Sequence, residues 1–558
     1  MLTCGLKLTH DGGIALVEDS RLIVSIELEK VGNNRRYQYV DRWETVEALL
    51  ATEGVRPSDV DRFVVDGWAP APDLDKVALR LDHKGARTVI DVAPYQEEPG
   101  ADPLRRFTFT GIPFGGGEYS SYHHSAQHTA GAYCTSPFAQ NGAPALVLVW
   151  DGGMPPMLYK VGPAPREVGP APLSVTSLGS LMPLYGFVFA QFCAHFPVFN
   201  VHQTQRDPLA MHASPGNLEV AGKAMAYAAL GRDEPAMYPV MRDALAALPF
   251  SVESGFQLAA QLDTTRERFW PGSTDADLIA TFQGYLGHAL LTALRDRLAE
   301  AGIREPNLCL AGGCALNIKW NSKLRSSGLF RDIWVPPFPN DSGAALGTAA
   351  CELISRGGTR LDWTLFSGPD LVASDAGAGW RSDRCDIPEL ARVLHEDGKP
   401  VVVLSGRAEL GPRALGHRSI LAPATDPAMK DLLNKVKDRE PYRPVAPICL
   451  EERAPEIFDP GTPDRYMLFD HMVRADWLDR IPAVVHLDGT ARLQTVAADD
   501  QPQLHRILTE YAKLSGIPVL CNTSANHKGS GFFPDVSSAA EWGRLDAIWS
   551  DGVLYRRD

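Results

Sequence analysis

The chain lacks the features of a membrane protein or of a disulfide-linked extracellular protein. No apolar run in its 558 residues is long enough to cross a bilayer. Its first residues enter a strand-like segment at once, without the charged and apolar regions of a signal peptide. Its nine cysteines are odd in number and scattered without paired spacing. We therefore expect a reduced, cytoplasmic protein with no membrane partner.

A basic excess is also missing. Lysine and arginine total 54 against 68 aspartates and glutamates, which gives a formal net charge of −14. Non-specific binding to nucleic acid needs a basic surface, so we expect no nucleic-acid partner. A small local anion site remains compatible with this charge.

The length predicts more than one domain, because 558 residues exceed what one hydrophobic core usually holds. Residues 356–385 are polar and rich in Gly, Asp and Ser, as is typical of a bridge between domains. We predict a first domain over 1–360, a linker over 361–385 and a second domain over 386–558.

Two histidines four residues apart indicate a metal site. If the stretch is helical, His124 and His128 project from one face, one turn apart. The apolar run over 145–150 predicts a buried strand that ends on Asp151. Two imidazoles and a carboxylate suit a divalent cation, and a chance pair on a helix is the alternative.

Two further positions bear on that site. A zinc protease of the HExxH type is excluded, because Ser125 stands where the glutamate would follow the first histidine. Asp341 precedes an Ala-rich helix, so it is either that helix's N-cap or the last metal carboxylate.

Residues 1–30 predict a meander of three strands. An acidic glycine turn beginning His10-Asp11 joins the first two strands. Such an opening is typical of the ribonuclease-H-like ATPase half-domain, where the first turn faces phosphate or the reacting group. A solvated hairpin turn is the alternative.

A strand over 307–310, then Gly312-Gly313, then a helix predict a nucleotide cradle. The glycines let the backbone approach a ligand, and a helix N-terminus favours phosphate or ribose oxygens. Lys223 follows a glycine in an Ala-rich helix and is a weaker candidate, because the rest of a P-loop motif is missing.

The second half contains a local basic surplus. Eight basic residues and five acidic ones lie between Arg407 and Arg443. Arginines among glycines at strand–helix turns suit bidentate capture of a small phosphate, and a solvated basic face is the alternative.

These stretches resemble the O-carbamoyltransferases of antibiotic biosynthesis. That family includes the aminoglycoside, cephem and ansamycin enzymes and the nodulation-factor carbamoyltransferase. The resemblance covers essentially the whole chain and is carried, in order, by GLKLTHDGGIALVED, HHSAQHTAGAY, LVLVWDGG, GKAMAYAALG, LAGGCALNIKWNSKL, PPFPNDSGAALG, GRAELGPRALGHRSILA, NKVKDREPYRPVAP, HLDGTARLQTV and PVLCNTSANHKG.

The resemblance implies an α/β protein in two parts. The first would be a duplicated ribonuclease-H-like or actin-like ATPase fold of the Kae1-like kind, and the second a YrdC-like α/β fold. Carbamoyl phosphate would be converted with ATP to carbamoyl adenylate, and the carbamoyl group would pass to an acceptor hydroxyl.

The family also implies roles for individual residues. His10 would be the general base beside the acceptor, and the metal ligands would be His124, His128, Asp151 and Asp341. The nucleotide would contact Gly312, Gly313, Asn317 and Lys223. Carbamoyl phosphate would contact Arg413, Arg418, Lys435, Arg443, Arg492 and Asn522.

Several points stay open at the level of sequence. A tRNA threonylcarbamoylation enzyme and a non-catalytic nucleotide-binding scaffold are the alternative functions. The acceptor could be a macrolide or polyketide, a cephem or a sugar, and the aromatic tract over 185–200 could line its pocket or simply form a core helix. The metal could be iron, manganese, magnesium or zinc, and the protein could be a homodimer.

Overall fold

The computed structural model describes residues 1–32, 36–70, 76–163, 173–199, 201, 218–251 and 253–558. The strands are β1 (Leu2–Lys7), β2 (Gly13–Glu18), β3 (Arg21–Glu27), β4 (Arg62–Asp66), β5 (Ala78–His83), β6 (Ala86–Asp91), β7 (Phe107–Thr110), β8 (Glu118–Tyr122), β9 (Ala145–Val149), β10 (Met157–Pro163), β11 (Leu173–Ser180), β12 (Asn307–Ala311), β13 (Asp332–Trp334), β14 (Trp380–Arg384), β15 (Val401–Leu404), β16 (Arg418–Pro423), β17 (Ala446–Leu450), β18 (Phe458–Asp459), β19 (His471–Val473), β20 (Thr490–Ala491), β21 (Gln494–Val496), β22 (Val519–Ser524), β23 (Ala547–Ser550) and β24 (Val553–Arg557). The α-helices span Trp43–Thr52, His124–Cys134, Pro137–Gln140, Val188–Ala194, Val220–Tyr227, Tyr238–Ala246, Ser254–Phe269, Asp275–Glu300, Ile318–Arg325, Ala344–Ser355, Ile387–Glu396, Ala428–Val436, Ala454–Ile457, Pro502–Ser515 and Val536–Trp542. None of the helices in these ranges is long and apolar enough to cross a membrane.

The first sheet begins with the predicted meander. Its six strands lie in the order β3-β2-β1-β4-β8-β7. The central strand β1 pairs antiparallel with β2 and parallel with β4, and β4 pairs parallel with β8. The three strands predicted from apolar runs and acidic turns over 1–30 are therefore confirmed.

The second sheet repeats this arrangement. Its order is β11-β10-β9-β12-β13, with β9 antiparallel to β10 and parallel to β12, and β12 parallel to β13. In both sheets a three-strand meander is followed by parallel strands on the other side of its first strand. The predicted α/β class with a duplicated ATPase-type half-domain is confirmed.

This duplication brings strand ends together. β4 ends on Asp66, β9 is followed by Asp151, and β12 is followed by Gly312. Open α/β sheets bind ligands at the carboxyl ends of their parallel strands. Side chains that are far apart in sequence therefore meet at one place.

Two helices between the sheets approach each other unusually closely. The helix His124–Cys134 packs on the helix Ala344–Ser355 at Gly131 and Gly347, and a Cβ on Gly347 would lie 2.2 Å from a backbone carbonyl oxygen of the first helix. Only glycine permits this approach. It brings the start of the second helix against the histidine face of the first.

The C-terminal part is built on an eight-stranded mixed sheet in the order β14-β24-β23-β15-β16-β22-β17-β21. It has its own buried apolar core. Leu361 packs in the core of the first part, Leu365 packs in the C-terminal core, and β14 pairs with β24. The limits 1–360, 361–385 and 386–558 stay a prediction.

Two regions add detail to the expectations from the sequence. Residues 68–118, which show little periodicity in the sequence, contain the hairpin β5–β6 and the strand β7, while 71–75 lie outside the described residues. Within the aromatic tract, Phe192 is buried in the core, and Phe189 is buried and also lines a cavity. All nine cysteines are free thiols, as the absence of paired spacing predicts.

Candidate active site

A cavity of about 400 Å³ lies between the duplicated part and the C-terminal part of the chain. One group of lining residues, the acidic end, contains carboxylates and a histidine, including His10, Asp151 and Asp341. A second group, the basic end, contains arginines, including Arg413 and Arg492. The acidic end comes from the first part of the chain, and the basic end comes mostly from the C-terminal part.

At the acidic end four potential metal ligands converge. His124, His128, Asp151 and Asp341 are all buried, and one ligand atom from each lies within 4.8 Å of the others. The Nε2 atoms of His124 and His128 lie 3.3 and 3.4 Å from Oδ1 of Asp341. The same Nε2 atoms lie 3.7 and 3.9 Å from the carboxylate of Asp151.

The donor set fits a divalent cation. Both Nε2 atoms are buried and make no hydrogen bond, and a buried polar atom without a partner usually signals a missing ligand. Two imidazoles and two carboxylates match the preferences of iron, manganese, zinc and related ions. A bound cation would satisfy both orphaned nitrogens and offset the two carboxylate charges.

The neighbours of these ligands hold them in place. Nδ1 of His124 lies 2.8 Å from Oδ2 of Asp66, so its Nε2 faces the cluster. Asp151 accepts hydrogen bonds from the hydroxyl of Tyr95 at 2.6 Å and from the Gly313 backbone amide at 2.7 Å. These bonds direct the remaining lone pairs inward.

A buried lysine completes that support. Lys7 is fully buried in β1, and its Nζ lies 2.9 Å from Asp66 and 2.7 Å from Asp341. Although burial raises the pKa of Asp341, Lys7, His124 and His10 hold the pKa well below its ordinary value. The carboxylate therefore stays ionised, as a metal ligand must.

The charge balance of the cluster is reflected in His124. Burial lowers its pKa, but the carboxylates of Asp66 and Asp341 outweigh burial and raise the pKa well above its ordinary value. Without a cation the cluster has an excess of negative charge.

His10 lies beside this cluster and lines the cavity. Its Nε2 is 3.5 Å from Oδ2 of Asp341, and its Nδ1 is 3.0 Å from Oδ2 of Asp11. Asp11 adopts a left-handed backbone with φ of 56°, and the contact to Nδ1 fixes the orientation of the ring. Burial lowers the pKa of His10, whereas Asp341 and Asp11 raise it, with a net rise.

The double glycine forms a close turn at the end of β12. Gly312 has a φ of 85°, and a Cβ there would lie 2.4 Å from the carbonyl oxygen of Trp150. Gly313 and Asn317 line the cavity, whereas Gly312 lies just behind it. Asn317 also caps the next helix, because its Oδ1 accepts hydrogen bonds from two backbone amides at 3.1 and 3.3 Å.

At the basic end, Arg413 and Arg492 form no ion pair with another described residue. The buried Nε atoms of Arg413 and Arg492 make no hydrogen bond. Burial and the neighbouring Arg36 and Arg443 lower the pKa of Arg413 to about 10. Burial and neighbouring arginines likewise lower the pKa of Arg492 well below its ordinary value and that of Arg439 to about 9.

Unpaired buried cations are costly, so this end is built for an anion. Asn522 lines the same end and leaves its Oδ1 buried without a partner, while its Nδ2 donates to the carbonyl of Ala414 at 3.0 Å.

Comparisons with known protein families match most of the chain. The chain matches the family described as Carbamoyltransferase N-terminus over residues 2–95 and 116–351, and Carbamoyltransferase C-terminus over 391–557. The chain belongs to the carbamoyltransferase family.

Named relatives cover the full length of this carbamoyltransferase. Nodulation protein U of Sinorhizobium fredii is 46% identical, and the match covers 100% of this chain and 99% of that protein. The 3'-hydroxymethylcephem-O-carbamoyltransferase of Streptomyces clavuligerus is 32% identical over 100% of this chain and 99% of that protein. The activator of a 2-hydroxyisocaproyl-CoA dehydratase from Clostridium difficile aligns at 11% identity with a TM-score of 0.32, covering 64% of this chain and 96% of that chain.

Two of the predicted carbamoyl phosphate residues do not lie at the cavity of the carbamoyltransferase. Lys435 is exposed in the last turn of the helix Ala428–Val436. Lys437, just after that helix ends, is buried and lines the cavity instead. Its Nζ donates to the carbonyls of Ser524 and Asn526, both at 2.6 Å.

Arg418 is the second predicted carbamoyl phosphate residue that does not line the cavity. It is 2% exposed, and its guanidinium donates to the backbone carbonyls of Ser405 and Gly406 at 2.6 and 2.9 Å. Its charge is thus committed to closing the loop over 405–418 and not to a ligand.

Glu409 explains why that loop is rich in motif residues. Its buried Oε1 accepts backbone N–H bonds from Leu415, His417 and Arg418 at 2.7, 3.0 and 3.1 Å. The loop wraps around this carboxylate and presents Arg413 to the cavity. Most residues of the loop over 405–418 therefore serve to position Arg413.

Two further candidates line the cavity, together with one arginine that the sequence did not indicate. Lys223 lines the cavity, but its Nζ pairs with Glu219 at 3.0 Å. Arg443 lines the cavity, and its contact with carbamoyl phosphate stays a prediction. Arg36 also lines it and pairs with Glu29 at 3.2 Å, although nothing in the local sequence distinguishes this arginine.

Proposed function

We propose that this carbamoyltransferase uses carbamoyl phosphate and ATP to carbamoylate a hydroxyl of a small molecule, through carbamoyl adenylate. The observation that carries the proposal is the single cavity, which joins a four-ligand metal cluster to arginines with unpartnered buried nitrogens. The arginines suit an anionic substrate, and the metal cluster suits a metal-dependent transfer.

The arginine end suits the phosphate of carbamoyl phosphate. Arg413 and Arg492 would each supply an unused N–H donor, and Arg443 and Asn522 lie at the same end. Guanidinium groups bind phosphate oxygens through paired, charge-assisted bonds. Phosphate would also relieve the repulsion among the arginines.

The chemistry balances as one hydrolysis followed by two transfers. Cleavage of carbamoyl phosphate by water gives carbamate and inorganic phosphate. Attack of carbamate on the α-phosphorus of ATP gives carbamoyl adenylate and releases pyrophosphate. Attack of the acceptor oxygen on the carbamoyl carbon then gives the carbamate ester, AMP and one proton.

The acidic end suits the last transfer. His124, His128, Asp151 and Asp341 would hold a divalent cation, which stabilises charge on a phosphate leaving group when it is bound. Gly313 and Asn317 would contact the nucleotide, with Lys223 near its phosphates. His10, oriented by Asp11, would accept the proton of the acceptor hydroxyl.

A small-molecule acceptor is favoured over RNA. Among the described residues, the cavity wall also includes Phe187, Phe189 and Trp320, which suits a partly apolar molecule. The named cephem relative acts on a hydroxymethyl group according to its name. A hydroxyl of a macrolide or polyketide, a cephem or a sugar in natural-product biosynthesis is the proposed class.

Mass spectrometry of acceptors incubated with the protein, ATP and carbamoyl phosphate tests the proposal. We expect one acceptor to gain a single carbamoyl group only when both co-substrates are present. Transfer that needs no ATP would contradict the adenylate route. The His10→Ala variant should keep its metal and lose transfer, which separates the proposed base from the metal cluster.

A further inference from the structure

The helix Ile318–Arg325 joins the two parts of the chain. Its N-cap, Asn317, lines the cavity at the acidic end. Its other side contacts the C-terminal part: Asn321 Nδ2 donates to the carbonyl of Leu468 at 2.8 Å, and the guanidinium of Arg325 lies 4.2 Å from the centre of the Phe469 ring. The helix is therefore fixed to a segment of the other part.

Lys319 makes the most polar of these contacts. Its Nζ lies 2.7 Å from Asp470 and 2.5 Å from Asp488, and it donates to Oγ1 of Thr490 at 3.1 Å. Lys319 is not among the residues that line the cavity. Its charge thus serves the contact between the two parts.

From Asp488 the hydrogen bonds continue to the arginine end. The hydroxyl of Thr490 donates to Oδ1 of Asp488 at 2.6 Å, and Nδ1 of His486 lies 3.2 Å from that hydroxyl. The backbone N–H of Arg492 donates to Nε2 of His486 at 3.3 Å. A continuous chain of bonds therefore runs from Lys319 to the main chain of Arg492.

The direction of each bond is fixed by its donors. Because the Arg492 amide can only donate, Nε2 of His486 is the acceptor and Nδ1 carries the proton. Nδ1 of His486 therefore donates to the hydroxyl of Thr490, and that hydroxyl donates to Asp488. Asp488 also accepts a hydrogen bond from Lys319. Each proton donated in the series has an acceptor, so the hydrogen bonds of the loop over 486–492 are satisfied in this arrangement.

We propose that Lys319 is a positioning residue that, through Asp488, Thr490 and His486, fixes Arg492 for binding the phosphate of carbamoyl phosphate. This rests on the proposed function, because it assigns Arg492 to the phosphate. The same bonds connect the helix beside the nucleotide cradle to the phosphate site, so the two ends keep a fixed separation. Lys319 acts through Arg492 and does not touch the substrate.

Inorganic phosphate is the probe, and its dissociation constant is measured by calorimetry with the full chain. Lys319→Met should raise that constant between about 3- and 10-fold, the range expected for a hydrogen-bonded contact. Lys323→Met is the matched control, since it lies on the same helix but has no described bond to residues 464–492. It should bind phosphate as the wild type does.

A second variant separates positioning from folding. Thr490→Val keeps the shape of the side chain but removes the three bonds of the hydroxyl, to Lys319, Asp488 and His486, and it should weaken phosphate binding as Lys319→Met does. The double variant should bind no more weakly than the worse single variant, because both changes break one series. Thermal unfolding of each variant checks that it is folded.

The outcomes distinguish this inference from the proposed function. If wild-type protein does not bind phosphate, both are overturned. If it binds phosphate and Lys319→Met binds it equally well, or the two single effects simply add, the role of Lys319 is wrong while the proposed function stands.

Discussion

Buried charges have protein partners at the acidic end of the cavity and fewer of them at the basic end. At the acidic end, Asp341 has Lys7 at 2.7 Å, and Asp151 accepts bonds from Tyr95 and Gly313. At the basic end, the Nε atoms of Arg413 and Arg492 are buried and unpartnered. The acidic end is held in shape by bonds within the protein, whereas these two arginine nitrogens at the basic end have no protein partner.

This difference separates a preorganised site from one that a ligand completes. A metal cluster needs its ligands oriented before the cation arrives, and second-sphere partners supply that orientation. A phosphate site can leave its donors free, because the substrate supplies the acceptors. Substitutions at the two ends should therefore differ in their effects on stability.

The largest effect is expected for Asp341→Asn. It removes a metal ligand and a partner of Lys7, so bound metal and carbamoyl transfer should each fall by more than about 100-fold, beyond what second-sphere changes cause. The variant should also unfold at lower temperature, because a buried lysine loses an ion pair. Metal analysis and thermal unfolding measure both effects, with the exposed Asp332→Asn as control. Retained metal would contradict the assignment.

The sequence predicted the four ligands and not their support. A histidine pair, a strand-end carboxylate and the resemblance to a known family indicate His124, His128, Asp151 and Asp341. Lys7 looks like an ordinary strand residue, and Asp66 looks like any polar residue at a strand end. Their roles depend on the pairing of β1 with β4, which brings them within 2.9 Å of each other.

The basic end was harder to predict for a physical reason. Composition counts arginines and lysines but does not say which ones face inward. Lys435 lies in the last turn of the helix Ala428–Val436, and Lys437 lies just after the end of that helix. The change in backbone direction turns the side chain of Lys437 inward. Arg36 lies 376 residues from Pro412, to whose carbonyl its guanidinium donates at 3.5 Å, so only the folded chain brings it to the cavity.

Asp66→Asn should have the next largest effect. The amide could no longer serve Lys7 and His124 as a carboxylate does, so the orientation of His124 would be lost. We expect metal affinity to fall between about 10- and 100-fold, the usual effect of losing a second-sphere carboxylate. Titration of the metal-free protein with Mn²⁺ measures it. An unchanged affinity would show that the cluster needs no support from β4.

Arg492→Met should weaken phosphate binding without lowering the stability of the ligand-free protein. Phosphate affinity should fall about 10- to 100-fold, because a charge-assisted bond contributes roughly 1.5–3 kcal/mol. Without ligand, however, the variant should be as stable as the wild type or more so, since it removes a buried, repelled cation. Thermal unfolding with and without phosphate tests both parts. A clear loss of stability in the ligand-free variant would remove the contrast between the two ends.

The smallest effect concerns pH. Burial, together with Lys319 and Arg492, lowers the pKa of His486 from 6.5 to about 3, although Asp488 opposes this. Between these values the unfolded chain binds a proton that the folded chain does not, so stability falls as the pH drops through this window. The slope from this group is at most about 1.4 kcal/mol per pH unit. Denaturant unfolding of wild type and His486→Gln at pH 7 and 5 should show a smaller decrease for the variant, and equal decreases would contradict the assignment.

The most direct test of the two-ended site follows the fate of ATP by ³¹P NMR. Wild-type protein with its metal, ATP, carbamoyl phosphate and the hydroxyl acceptor should yield AMP, pyrophosphate and inorganic phosphate, and withholding carbamoyl phosphate should stop AMP formation. Arg492→Met should form AMP slowly because it binds carbamoyl phosphate weakly. Formation of ADP in place of AMP, or of AMP without carbamoyl phosphate, would contradict the account.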